Sequence, residues 1–319
     1  MPRLNSRFSK LFVLLACLPW LPTVFAQFRS DTRLVVLHAS VNDKKGKLLT
    51  NLDRNAFKIF ENGQPQAVKI FRREDVPVSL GIIIDDSGSM MNKRARVEAA
   101  AVAMVRASNP QDEVFIVNFN DEAYLDVPFT NDMHKMEQGL ARIDSRGGTA
   151  MRDAVSMSLD YTAKEAKKDK KVLLIITDGA DNASGISLEK VVQRANQSDT
   201  LIYAIGLFTE EEKREASKAR RALNELTTAT GGLAFYPKEV SDVQSLAVEV
   251  AHDIRNQYTI AYTPTIQALD GSYRQIKVTV DAPGKPTVRT RSGYYATPDI
   301  AQTKQTASNL ASTASTARP

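Results

Sequence analysis

The chain has 319 residues, 43% hydrophobic and 25% charged, a balance that suits one large or two modest cores and excludes a wholly disordered chain. Its formal charge of +5 includes three charges, Arg3, Arg7 and Lys10, in a leader-like segment, and the +2 that remains gives a nucleic-acid partner no electrostatic support. The single cysteine, Cys17, lies in the same segment, which excludes a disulfide framework or a thiolate metal site in the rest of the chain.

Residues 1–26 read as a secretory signal peptide: basic residues, an apolar run from Leu11 to Phe25, and a small-residue site, Val24-Phe25-Ala26, before Gln27. The run is short of the ~20 residues that span a bilayer, and Pro19 and Pro22 break it, so no transmembrane segment is expected after cleavage. Lipidation at Cys17, in Leu14-Leu15-Ala16-Cys17, is disfavoured because the apolar run continues through Leu18, Trp20 and Leu21. Export without disulfides suggests a bacterial envelope protein, periplasmic or extracellular.

Residues 27–76 are strand-like. Leu34-Val35-Val36-Leu37 precedes a turn at Asp43-Lys44-Lys45-Gly46, and Phe57-Lys58-Ile59-Phe60 and Val68-Lys69-Ile70-Phe71 flank Glu61-Asn62-Gly63, a strong hairpin signal. Over 77–256 the pattern changes to apolar strands alternating with amphipathic helices. Val78 to Ile84, Val114 to Phe119, Val172 to Ile176 and Leu201 to Leu207 are short, Val- and Ile-rich runs expected to be buried on both faces of a mostly parallel sheet. Helical spacing joins Val97, Ala101, Met104 and Val105; Met133, Met136 and Leu140; Leu188, Val191, Val192 and Ala195; and Val243, Leu246, Ala247 and Val250. Thr209 with Glu212 forms a capping box for a further helix. The basic runs Lys164 to Lys171 and Lys213 to Arg221 alternate with acids and read as solvated helix faces.

Strand patterning returns over 257–296, in Tyr258 to Tyr262, Tyr273 to Val280 and Val288 to Tyr295, and 297–319 reads as a disordered Thr-, Ala- and Ser-rich tail. Each β-rich end alone is too small to bury a useful core. The expected fold is therefore α/β: a doubly wound, mostly parallel sheet inserted between N- and C-terminal β segments that pair as a β-sandwich.

The chemistry concentrates where strands end. The first α/β strand runs into Asp85-Asp86-Ser87-Gly88-Ser89-Met90, and carboxyl ends of parallel strands are where ligands gather. In the D-x-S-x-S pattern a tight turn at Gly88 can aim the oxygens of Asp85, Ser87 and Ser89 at one point, a cluster a hard cation accepts. The strand from Leu173 to Ile176 ends in Thr177-Asp178-Gly179, a second carboxylate at the same edge if the strands are neighbours, and Arg146-Gly147-Gly148-Thr149 supplies a hydroxyl before a helix.

These three pieces, in this order, resemble the von Willebrand factor A (VWA) domain and its metal-ion-dependent adhesion site. Phe57 to Gly63 and Arg289 to Tyr295 also resemble the flanks of a secreted bacterial subgroup of the acidobacterial type. The resemblance implies a Rossmann-like fold with one magnesium ion, or manganese or calcium in its place. Ser87, Ser89 and Thr149 would bind through hydroxyls, and Asp85 and Asp178 directly or through water. Two carboxylates neutralise the ion and leave a position for an Asp or Glu of a partner protein. Integrin β subunits carry further acids after this motif for an adjacent calcium, where this chain has Met91, Asn92 and Lys93. Asp153, in the first turn of the helix after Thr149, reads as a dipole partner or outer acceptor, and Asp181 and Asn182 as bordering the partner surface or as plain loop.

No enzyme is expected. Asp86-Ser87-Gly88 is similar to part of the GDSGG of serine proteases, but Asp85 stands where an oxyanion-hole Gly belongs. A phosphotransferase would need an acid where Ser87 stands, and His38, His134 and His252 lack metal-ligand spacing. The non-adhesive alternative is an envelope scaffold whose metal only stabilises the fold.

Overall fold

A computed structural model describes residues 34–73, 75–140, 146–208 and 213–297. Residues 1–26, read as a signal peptide with Cys17, the Thr209 and Glu212 capping box, and the tail beyond Thr297 lie outside the described residues.

The chain enters on β1 (Val35–Asn42), whose alternate residues Val35, Leu37, Ala39 and Val41 are buried. Next come β2 (Phe57–Glu61), β3 (Gln64–Gln66) and β4 (Val68–Arg72). The α/β region comprises β5 (Val78–Asp85), α1 (Arg94–Ala107), β6 (Glu113–Phe119), β7 (Ala123–Thr130), α2 (Met133–Leu140), α3 (Met151–Glu165), β8 (Lys170–Thr177), α4 (Leu188–Gln197), β9 (Leu201–Gly206), α5 (Lys213–Thr230), β10 (Ala234–Phe235) and α6 (Val243–Arg255). β11 (Tyr258–Tyr262), β12 (Tyr273–Val280), β13 (Thr287–Arg289) and β14 (Gly293–Tyr295) close the chain.

The central sheet has the order β10-β9-β8-β5-β6-β7, with β7 antiparallel to β6 and the other pairs parallel. All four apolar runs picked out in the sequence lie in it, and every residue of β5, β6, β8 and β9 is buried. One face packs Leu80, Ile82 and Ile84 against α1, α2 and α6; the other packs Ile83, Phe115 and Val117 against α3, α4 and α5. Gly81 makes room on the second face: a Cβ there would lie 2.3 Å from the Phe115 ring. β7 escaped sequence reading because half-exposed residues interrupt its apolar ones and it carries Pro128, as an edge strand can.

The flanking segments form the expected sandwich, interleaved within each sheet: β13-β1-β11-β4 and β14-β12-β2-β3. Ile59 of β2 lies opposite Val278 of β12. Both sheets contribute to one core containing Leu37, Ile59, Tyr258, Tyr262 and Ile276. Two pairings differ from expectation. Asn62 and Gly63 make the predicted hairpin, with φ +48° and +80°, but the strand returning along β2 is the short β3, while Val68–Arg72 crosses to the other sheet and pairs with β11. The run from Val288 to Tyr295 likewise splits, β13 pairing with β1 and β14 with β12. In both cases one continuous stretch of strand-forming sequence serves two sheets, which local patterning does not register.

The basic run from Lys164 is not a solvated helix face throughout. Helix α3 ends at Glu165, and Lys170 and Lys171 open β8, both buried. Lys170 donates to the Ile254 carbonyl, and Lys171 pairs with Asp199 at 2.9 Å. These bonds belong to a polar layer beneath the sheet. Asp253 of α6 accepts from the Tyr203 hydroxyl (2.6 Å) and from Arg289 of β13 (2.5 Å), and Gln257 donates to Ser40 of β1 (3.2 Å). Arg291 donates to the Asn196 and Ser198 carbonyls.

His38 of β1 belongs to this layer, and burial together with the charges of Lys170 and Arg291 holds its pKa well below the usual histidine value. Below about pH 6.5 the unfolded chain therefore takes up a proton that the folded protein refuses, and stability falls as the pH is lowered. Urea midpoints at about pH 7.5 and about pH 5 should differ more for the wild type than for His38→Gln. Equal differences would assign the pH dependence elsewhere.

Candidate metal centre

Strands β5 and β8 are parallel neighbours, with Ile84 opposite Ile176, so the residues that follow, Asp85 and Thr177, finish side by side. Asp85 accepts the Ser87 backbone N–H on Oδ1 (2.9 Å) and the Thr177 hydroxyl on Oδ2 (2.5 Å). From Ser87 the chain makes a single 3-10 turn, Gly88–Met90, and Met90 plugs into the core at 1% exposure. That anchor holds the serine hydroxyls at the sheet edge. The Ser87 and Ser89 Oγ atoms are 3.1 Å apart, and Ser89 donates to Asp178 Oδ1 at 2.7 Å. Asp85, Ser87, Ser89 and Asp178 thus form one hydrogen-bonded chain across two strand ends.

Thr149 arrives by its backbone. The Arg146 N–H donates to the Asp86 carbonyl (2.9 Å) and the Gly88 N–H to the Gly147 carbonyl (3.3 Å), which seats the third loop on the first. Thr149 is buried, and a Cβ on Gly179 would stand 3.5 Å from its Oγ1, so its hydroxyl adjoins the residue after Asp178. All five residues singled out in the sequence therefore meet at one end of the sheet.

A clasp keeps Thr149 there. Asn182 Oδ1 accepts the Thr149 N–H (2.8 Å), and Asp181 accepts both the Arg152 backbone N–H (2.7 Å) and the Arg152 guanidinium (2.9 Å). In return Asp153 accepts the N–H groups of Gly185 (2.9 Å) and Ile186 (3.1 Å). Asp181 and Asn182, read as surface or loop, do lie in the loop after β8 and from there bind the start of α3, and Asp153 fits the outer-acceptor expectation by holding the loop rather than joining the cluster. Asp86 is buried and accepts the Tyr124 hydroxyl at 2.9 Å.

Burial pushes the Asp85 carboxyl up to about 6; hydrogen bonds from Ser87 and Thr177 oppose the rise and nearby Asp178 adds to it. The Lys93 ammonium lies on Asp178 Oδ2, with the Asp178 side chain fully buried. Among the described residues no group of three or more His, Cys, Asp or Glu side chains is placed to hold a metal ion. Two carboxylates with three hydroxyls suit a small hard cation, and the ammonium on Asp178 marks the cluster as one that attracts positive charge. Sequence reading missed Thr177 and the role of Lys93. Thr177 was visible only as the neighbour of Asp178, and Lys93 only as a missing acid.

Residues 80–180 match the family model of the von Willebrand factor type A domain. This stretch of the chain is similar to a von Willebrand factor type A domain. The match spans β5 to the Asp178 loop, and the six-stranded sheet with helices on both faces is the VWA fold. An uncharacterised protein of Borreliella burgdorferi is 27% identical over 180 residues, 49% of this chain and 52% of that one, so the chain spans about half the length of this curated relative. Similar solved structures include the VWA domain of a type V pilus tip protein from Porphyromonas gingivalis, with 13% identity, TM-score 0.47, and coverage of 56% of this chain and 95% of that one. A von Willebrand factor type A protein from Catenulispora acidiphila has 13% identity and TM-score 0.48, with coverage of 86% of this chain and 77% of that one.

The raised pKa of Asp85 has a cost for the folded protein. Between about pH 4 and about pH 6 the folded state keeps a proton that the unfolded chain has lost, so stability falls over that window, by up to roughly 3 kcal/mol. Asn at this position can accept from Ser87 and donate to the Thr177 hydroxyl. In chelator, Asp85→Asn should raise the urea midpoint at neutral pH and lose that advantage near pH 4. A lower midpoint at neutral pH would contradict the buried-charge account.

Proposed function

We propose that the VWA domain holds one divalent cation, magnesium foremost, on Asp85, Ser87, Ser89, Thr149 and Asp178, and uses it to bind a protein partner through an Asp or Glu side chain outside the cytoplasm. The observation that carries this reading is the convergence of the five side chains at the end of β5 and β8, with Asp85, Ser87, Ser89 and Asp178 already hydrogen-bonded to one another. A bound ion would supply an electrophilic position for a carboxylate.

The chain's own residues do the rest. Asp85 and Asp178 balance the charge of a divalent ion, while neutral hydroxyls leave its attraction for an anion undiminished. Thr177 and the Ser87 N–H orient Asp85, and Asn182 orients Thr149. Met91, 65% exposed and two residues past Ser89, offers apolar contact beside the site. Ser87 faces Ser89 rather than a base: His38 lies in β1 of the sandwich and His252 in α6, which supports binding over turnover. The sequence of residues 1–26, read as an export signal, supports a place outside the cytoplasm.

Magnesium titration should show one ion per chain for the wild type and none for Asp85→Ala or Thr149→Ala. Partner capture from a cell-envelope extract should need magnesium, fail in chelator, and drop at least about tenfold in both variants, with their circular dichroism unchanged. Metal binding without capture would favour the scaffold reading. Turnover of ester, peptide or phosphate substrates by the wild type would overturn the binding one.

A further inference from the structure

Lys93 sits four residues beyond Ser89, at the N-cap of α1. Its backbone N–H donates to the carbonyl of Met90 (2.8 Å), the core-buried anchor of the turn that presents Ser87 and Ser89. The lysine stem is therefore carried on the same rigid turn as the two hydroxyls. Its ammonium reaches across to Oδ2 of Asp178 and is itself well covered, with the side chain 16% exposed and that of Asp178 0%. Asp178 thereby spends one oxygen on Ser89 and the other on Lys93.

We propose that Lys93 is a tethered counter-cation that occupies Asp178 when no divalent ion is bound, is lifted from it when one enters, and so sets the metal affinity of the site. The inference rests on the reading of this cluster as a metal centre. Electrostatics requires the direction. Asp85 and Asp178 offer two negative charges, and Lys93 cancels one of them before an ion arrives. An incoming cation has to displace the ammonium and meets its repulsion while doing so. Once displaced, Lys93 stays on its stem beside a centre whose carboxylates are neutralised by the metal, and its charge then favours an anionic partner. Lys93 thus trades metal affinity for attraction of a carboxylate, and in the empty site it keeps a buried Asp178 paired. An uncompensated carboxylate at that depth would cost far more than an exposed one.

Magnesium titration calorimetry on the full chain should show Lys93→Met binding roughly tenfold tighter than the wild type, with Lys93→Arg close to the wild type. The thermal midpoint in chelator should be lower for Lys93→Met, and its rise on adding saturating magnesium larger. In the wild type, magnesium should increase acylation of Lys93 by an amine-reactive reagent, read by peptide mass spectrometry, and this measurement stands even if Lys93→Met does not fold. Unchanged or weaker binding by Lys93→Met, or Lys93 labelling that ignores magnesium, overturns the inference while leaving the metal centre intact. Absence of magnesium binding in the wild type overturns both.

Discussion

The register between β5 and β8 is the constraint on which the site depends. Pairing Ile84 with Ile176 places Asp85 beside Thr177 and one residue from Asp178, so two carboxylates from segments some ninety residues apart end within one hydrogen-bonded cluster. The register is held by apolar packing, because both strands are buried along their whole length and a slip of one residue would exchange the faces of Ile82, Ile83 and Ile84. The core thus sets the geometry of the polar site.

Concentrating acid at that edge is unfavourable in itself, and the structure offsets it locally. Asp85 is raised by burial and shares the Ser87 N–H and the Thr177 hydroxyl, and Asp178 takes Ser89 and Lys93. The clasp between the start of α3 and the loop after Asp178 plays a complementary part. Arg152, Asp153, Asp181 and Asn182 exchange bonds across it and leave Thr149 little freedom to drift. Such pre-arrangement lowers the ordering cost of any ligand that needs all five side chains.

At the opposite end of the sheet the α/β domain is tied to the sandwich. Asp253 near the end of α6 bonds to Tyr203 of β9 and Arg289 of β13, and Gln257 leads the chain directly into β11. Because the sandwich interleaves strands from before and after the inserted domain, both ends of that domain are fixed to one core. A displacement of α6 would be felt by Arg289 and by Gln257, which makes that polar layer the physical link between the two parts.

The sequence by itself determined the doubly wound sheet, the insertion between two β segments, and the five acid and hydroxyl side chains brought to one end of the sheet. Those follow from local patterns: continuous Val- and Ile-rich runs cannot be solvated, and acids and hydroxyls after such runs must sit at strand ends. Only the tertiary structure decided which strands share a sheet and what surrounds each of those side chains. Val68–Arg72 and Thr287–Arg289 cross between sheets because their partners, β11 and β1, lie far along the chain. Lys170 is buried because α6 ends above it, and Lys93 meets Asp178 although 85 residues separate them. Pairings of this kind depend on distances closed by folding, and no window of sequence contains both partners.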